Sequence, residues 1–266
     1  MFLHAPGETG KTFVTNLILA KARQSGKIAS VVVSCGIAAT LLSGGRTVHS
    51  ALKLPLNLAR TENSVCNIKK NSGTAQLLQQ CRLIVWDECT MLHKLAFEAL
   101  NLTLKDLRKN NRLLGEVTLL LSRDFCQTLL VLQRGTPANE INACIKTSFL
   151  WPFVGQLHLT QNVRSTILGD QTSAHFTAGL MRIGEGQLPV SAENGLVSLD
   201  GYGTSVDSTE ELQEKFYPNL RQRFQDVDWL SEQAILCPRN DAAAATYSQL
   251  LAQLSGNSKT FTSVDT

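Results

Sequence analysis

Residues 5–12 read Ala5-Pro6-Gly7-Glu8-Thr9-Gly10-Lys11-Thr12, the spacing GxxxxGK[ST] with alanine in place of the first glycine. The short apolar run Met1 to His4 comes before it, and a helical pattern from about Lys11 to Gln24 follows. No other feature constrains the fold as much. A loop that turns its backbone N–H groups inward at a helix N-terminus needs a strand to deliver it and a helix to carry the chain back over a sheet. In such a loop Pro6, Gly7, Thr9 and Gly10 shape the cradle for an anion. Lys11 reaches the outer phosphates of a nucleotide, and the Thr12 hydroxyl faces Mg²⁺. Glu8 fits least well: its position favours glycine's positive φ, and a carboxylate about 5 Å from a phosphate costs on the order of 3 kcal/mol at an effective dielectric near 20.

The remaining chain repeats the strand–helix alternation of βαβ units. Helix Lys11 to Gln24 offers Phe13, Val14, Leu17, Ile18 and Ala20 as its apolar face, with Gly26 as a stop signal. Ala29 to Cys35 is a β-branched run suited to burial on both faces, and Gly36 opens a small-residue segment that turns into a helix. Asn57 to Gly73 is polar and reads as a surface excursion. LIVWDE, Leu83 to Glu88, is the next buried strand; Met91 to Lys109 is an amphipathic helix; Val117 to Ser122, Gln156 to Thr160 and Gln233 to Pro238 are further strands. A soft boundary near Gly155 divides an expected lobe 1–156 from a second, 157–266.

LIVWDE carries the second chemical signal. A strand that ends in Asp87 and Glu88 delivers both acids to the edge of the sheet where a phosphate loop also opens. There Asp87 would hold Mg²⁺ and Glu88 would take the proton of an attacking water. A strand ending in an acid pair is weak as a signal alone and strong downstream of a GKT helix.

Composition excludes several other classes. The seven cysteines contain no CxxC pair, which argues against a zinc site or a disulfide framework and for a reducing compartment. No apolar stretch approaches the roughly 18 residues of a membrane span, and the N-terminus lacks the pattern of a signal peptide. A net charge of +3 is too small to identify a nucleic-acid binder, so any such affinity rests on local grooves. The expected setting is intracellular, with nucleus before mitochondrion and a monomer assumed.

FLHAPGETGKT, CGIAATLLSGGRTVHSALKLP, LIVWDECTM, SRDFCQTLLV, RGTPANEINACI, LHLTQNVR and WLSEQAILCPRND, in this order, resemble the PIF (petite integration frequency) DNA helicases, the Helitron-transposon version in particular. These are superfamily-one, RecD-like motors. The resemblance implies an α/β fold: a RecA-like P-loop NTPase with a doubly wound, mostly parallel sheet and an incomplete second RecA-like lobe. It implies ATP as substrate with Mg²⁺, single-stranded DNA and duplex junctions as partners, 5′-to-3′ unwinding, and links to repair, recombination and telomere maintenance. Gly36, Ala38, Ala39, Gly45, Thr47, His49 and Ser50 match a motif lining the single-strand channel, Gln127 a γ-phosphate sensor, and Arg164 an arginine that reaches the triphosphate from the second lobe. Read without the resemblance, His49 is a core or capping histidine and Arg164 a solvated one.

The family writes GDFRQTLPV where this chain has Arg123, Cys126 and Leu130 in place of glycine, arginine and proline. The family's adenine-contacting segment and its last two motifs fall outside the chain's span, so a fragment is expected. A second reading follows: a catalytically dead transposon-derived piece that binds nucleotide or DNA without turnover. A third is a P-loop ATPase outside DNA metabolism, such as a kinase.

Overall fold

The structure is a computed structural model. It describes residues 1–7, 9–55, 58, 64–124, 132, 135–161, 163, 171–191 (171–175 by backbone alone), 195–199, 201–237, 239–254, 256 and 259. These divide into two compact units, Met1–Pro189 and Val190–Thr266.

In the first unit, β1 (Phe2–His4) leads into α1 (Lys11–Gln24), β2 (Ala29–Val33), α2 (Gly36–Leu41), β3 (Arg46–Thr47) and α3 (Val48–Leu52). Next come α4 (Gly73–Gln80), β4 (Leu83–Asp87), α5 (Lys94–Arg108), β5 (Thr118–Arg123), α6 (Pro137–Ala143), β6 (Gln156–His158) and α7 (Gln171–Gly184). The six strands form one sheet in the order β3-β2-β4-β5-β1-β6, and every pairing is parallel. Parallel strands need crossover helices, which cover both faces and explain why the strand sequences are nearly continuous apolar runs.

Alternation along each strand assigns its residues to the two faces. Phe2, Val32, Ile84, Trp86, Leu119 and Leu121 join one core with Ala96, Phe97, Leu100 and Leu104 of α5. Leu3, Val31, Val33, Leu83, Val85 and Leu120 join the other with Leu19 of α1. The expected apolar face of α1 needs correction: Thr15 and Leu19 are buried, Val14 and Ile18 pack partly, while Phe13 and Leu17 are 73% and 59% exposed. This helix is apolar around much of its circumference, so periodicity alone did not say which stripe docks.

Three further expectations change. Gln233–Cys237 forms no strand. The division at 156/157 cuts through β6, which pairs in register with β1 (Phe2 opposite Gln156, His4 opposite His158), and the first compact unit runs to Pro189. The polar excursion is not wholly superficial: Ser64 and Cys66 are buried, the Cys66 N–H donates to the Thr103 hydroxyl at 2.9 Å, and α4 begins at Gly73 behind a Ser72 cap.

The second unit, taken by itself, contains α8 (Thr209–Phe216), α9 (Leu220–Arg223), α10 (Val227–Ser231) and α11 (Asn240–Ala252). Among its described residues, Trp229 is the buried aromatic. Tyr217 meets it edge-on at 6.0 Å, and the Arg223 guanidinium lies over it at 4.2 Å.

Three cysteines sit in the first unit's interior. Burial pushes the Cys66 thiol up to about 11 and the Cys89 thiol up to about 12, and it raises Cys81 as well. The thiolate is the nucleophile, so these three should resist iodoacetamide in the folded chain at neutral pH and react once it is denatured. Mass spectrometry of the alkylated peptides checks this, and rapid native labelling of Cys89 would contradict the packing.

Candidate nucleotide site

All six strands point the same way, so every β-to-α connection from β1, β2, β4 and β5 opens at one edge, the carboxyl edge, where ligands of such sheets bind. The loop after β1 reaches it through Ala5, Pro6 and Gly7. Thr9 ties the turn down by donating its hydroxyl to the Pro6 carbonyl at 2.7 Å. Gly10 has φ 79°, a left-handed conformation that glycine adopts without strain, and occupies the N-cap position just before α1. Among the described residues no side chain caps α1, and its first turn holds no acid, the arrangement in which a helix N-terminus can accept an anion. Glu8 lies outside the described residues.

Lys11 is the first residue of α1, with Thr12 next to it on the opening turn. Its Nζ lies 2.6 Å from Glu88 Oε1 and 3.1 Å from Asp87 Oδ1. Burial alone would push this ammonium down, but Asp87 and Glu88 outweigh it and hold Lys11 above the ordinary lysine value. Lys11 is therefore charged throughout the neutral range. The acid pair is not immediately beside the loop strand, because β5 lies between β4 and β1. Lys11 spans that intervening strand to reach both carboxylates.

Each acid is also held from its own side. Asp87, the last residue of β4 and buried, accepts at Oδ1 from the Ser122 hydroxyl at 2.8 Å and from the Glu88 N–H at 3.0 Å. Glu88 leaves the strand at φ 54° and N-caps the short helical turn Cys89–Met91. That positive φ is uncommon for a residue with a side chain, and such strain concentrates at functional positions. It turns the Glu88 carboxylate back across the strand ends, where its second oxygen, Oε2, lies 2.8 Å from Arg123 Nη1. Arg123 ends β5 with its side chain 2% exposed, and its Nε donates to the Asp124 carbonyl at 3.3 Å.

Sequence reasoning missed both Ser122 and Arg123 as members of this cluster, the second having been noticed only as a departure from GDFRQTLPV. The signal that could have found them is their place at the end of β5, which becomes informative only once β5 is known to lie between β1 and β4. Gln127, Cys126, Leu130 and Arg164 lie outside the described residues.

Gly36, His49 and Ser50 follow β2 and β3 on the same edge of the sheet. Gly36 opens α2 behind a Cys35 cap. Ser50 is exposed, gives its N–H to the Thr47 hydroxyl at 3.3 Å and receives Arg46 Nη2 on its own hydroxyl at 3.0 Å. His49 is partly exposed, and its Nδ1 lies 3.3 Å from the Leu54 carbonyl just past the end of α3. Among the described residues, no group of three or more His, Cys, Asp or Glu side chains is placed to hold a metal. No described helix is long and apolar enough to cross a membrane.

The family model for PIF1-like helicases matches residues 1–194, from the loop through the acid pair and beyond β6. The chain belongs to the PIF1-like helicase family. It is 26% identical over 230 residues to the ATP-dependent DNA helicase Pif1 of Psychrobacter sp. (strain PRwf-1), covering 86% of this chain and 31% of that relative. Its fold is similar to the crystal structure of Pif1 helicase from Candida albicans, with a TM-score of 0.57 and 23% identity over 74% of this chain and 46% of the other. It is similar also to Bacteroides Pif1 helicase in complex with ADP-AlF3 and single-stranded DNA, with a TM-score of 0.57 and 20% identity over 88% and 54%. The PIF1-like chain described here thus spans about a third of its curated relative and about half of these structures.

Proposed function

We propose that this chain forms the nucleotide-binding part of an ATP-dependent DNA helicase that moves 5′ to 3′ along a single strand, the coupled motor being the work of a complete protein. The observation that carries the reading is the Lys11 ammonium standing 2.6 and 3.1 Å from two carboxylates at a helix N-terminus that no described side chain caps. Such an arrangement suits a triphosphate with its counter-cation. The open N–H groups of α1 and Lys11 take the phosphates, Lys11 leaving the acids as it does so.

The oxygens of Thr12 and Asp87 are hard donors that fit Mg²⁺, which is commonly held by one or two protein oxygens plus phosphates and water. Bound there, Mg²⁺ would neutralise charge that develops on the phosphates. Ser122 and the Glu88 N–H fix the Asp87 carboxylate for that role. Glu88, turned over the strand ends, accepts the proton of the attacking water. Gln127 and Arg164 complete the reading as the residues that couple the γ-phosphate to closure of a second RecA-like lobe, to which the unit Val190–Thr266 would contribute. Gly36, His49 and Ser50 meet the single strand; small residues and hydroxyls let a sugar-phosphate backbone approach closely. Support for the nucleic-acid partner comes from family membership and from the single strand held by the Bacteroides relative. We place the protein inside the cell, in the nucleus before the mitochondrion.

The test is Mg²⁺-dependent ATP hydrolysis by the purified chain, stimulated by single-stranded DNA and lost in Lys11→Ala. Equal, negligible turnover in both proteins, with Mg²⁺-dependent nucleotide binding retained in the unsubstituted chain, would favour the second reading, binding without hydrolysis. One feature supports that alternative: both Glu88 oxygens already carry a cation.

A further inference from the structure

Glu88 is held by two cations of different character. Lys11 takes Oε1 at 2.6 Å from the first turn of α1, where an anion would compete for it, whereas Arg123 takes Oε2 at 2.8 Å from the end of a central strand. Lys11 sits at the mouth of the site, its side chain 15% exposed; the Arg123 side chain is 2% exposed and anchored through Nε to the Asp124 carbonyl. Burial of this degree prevents Arg123 from reaching a nucleotide without leaving its seat, so its influence passes through Glu88.

Resting on the nucleotide-site reading above, we infer that Arg123 is the permanent counter-ion of Glu88, a positioning residue that allows Lys11 to leave for the phosphates. With Lys11 as the only cation on the acid pair, its departure would leave the largely buried Glu88 carboxylate uncompensated and facing phosphate charge. Breaking a buried pair in this way is costly because the remaining charge has lost water and found nothing in exchange. Arg123 removes that cost, since Glu88 stays paired before and after nucleotide entry. A guanidinium suits this task better than an ammonium: it is always charged, planar and weakly hydrated, and it can grip a carboxylate while donating elsewhere. This chain writes SRDFCQ where the resemblance leads to glycine at 123 and arginine at 126. The cation stands three residues earlier, at the end of the strand between the phosphate loop and the acid pair.

The test is a double-mutant cycle on nucleotide affinity, read by titrating the magnesium complex of a non-hydrolysable ATP analogue, so that turnover is not required. Arg123→Met keeps the aliphatic stem and removes the charge; it should weaken binding about tenfold. In a Glu88→Gln background, where no carboxylate needs compensation, the same change should alter affinity less than twofold. Arg123→Lys keeps a cation and should lose no more than threefold, which a general packing defect would not reproduce; it also serves should Arg123→Met not fold. Equal affinities of the unsubstituted chain, Arg123→Met and Arg123→Lys, or equal losses with and without Glu88, would overturn the inference and leave the nucleotide site standing. No binding by the unsubstituted chain would overturn the site reading, and this inference with it.

Discussion

Glu88→Gln is expected to lower ATP turnover by roughly 10²- to 10⁴-fold, the range general-base removal produces, while the chain still binds nucleotide. The side chain keeps its length and its place at the φ 54° turn, so the backbone that carries it is not disturbed. What disappears is the ability to accept a proton from water. The amide also attracts Lys11 less than the carboxylate did at 2.6 Å, so the lysine is freer to meet the phosphates and affinity should hold or rise. Single-turnover hydrolysis beside equilibrium binding separates the two effects. A fall in affinity with little change in the chemical step would mean that Glu88 holds the loop together and does not act on water.

Trp86→Ala should cost about 3–5 kcal/mol of stability, the range for deleting a large buried aromatic. Trp86 lies on β4, between β2 and β5, and is 1% exposed in the core shared with α5. Its indole N–H donates to the Ser34 hydroxyl at 3.1 Å, tying the strand of the acid pair to the end of β2. Trp86→Phe separates these contributions: it keeps most of the ring's packing and loses the hydrogen bond, which should cost about 1 kcal/mol beyond the smaller ring's lost contacts. Urea denaturation checks both. A midpoint for Trp86→Ala equal to that of the unsubstituted chain would contradict the position of this residue at the centre of the sheet.

Much of the first unit could be read from its sequence because parallel strands announce themselves. Buried on both faces, Val31–Val33 and Leu83–Trp86 are apolar at successive residues, and the glycine-rich turn before Lys11 identifies the strand that must precede it. The acid pair was legible for a related reason: two carboxylates ending a buried strand have few places to be except the sheet's open edge.

What could not be read depends on strand order or on burial by distant residues. Arg123 looked like a misfit at a strand exit. Only the insertion of β5 between β1 and β4 turns it into a partner of Glu88, through a contact 35 residues apart in sequence (Arg123 minus Glu88). The outward face of α1, with Phe13 and Leu17, was misassigned because a helix apolar on several sides carries no periodic mark of its docked stripe. QAILCP has strand composition, yet Gln233–Cys237 gains no pairing, and composition without a neighbouring strand does not make a sheet. Ser64 and Cys66 lie in a stretch whose polarity suggested solvent, but Thr103 of α5 supplies the acceptor that allows the Cys66 N–H to be buried.

Titration of the Mg²⁺–nucleotide complex into the unsubstituted chain and into Lys11→Ala tests most directly whether the cluster of Lys11, Asp87 and Glu88 is a triphosphate site. Saturable binding that requires Mg²⁺ and weakens at least a hundredfold in Lys11→Ala is the predicted result. Binding of equal strength in the two proteins would contradict it, and the contacts of Lys11 with Asp87 and Glu88 would then be a structural ion pair at the edge of a sheet.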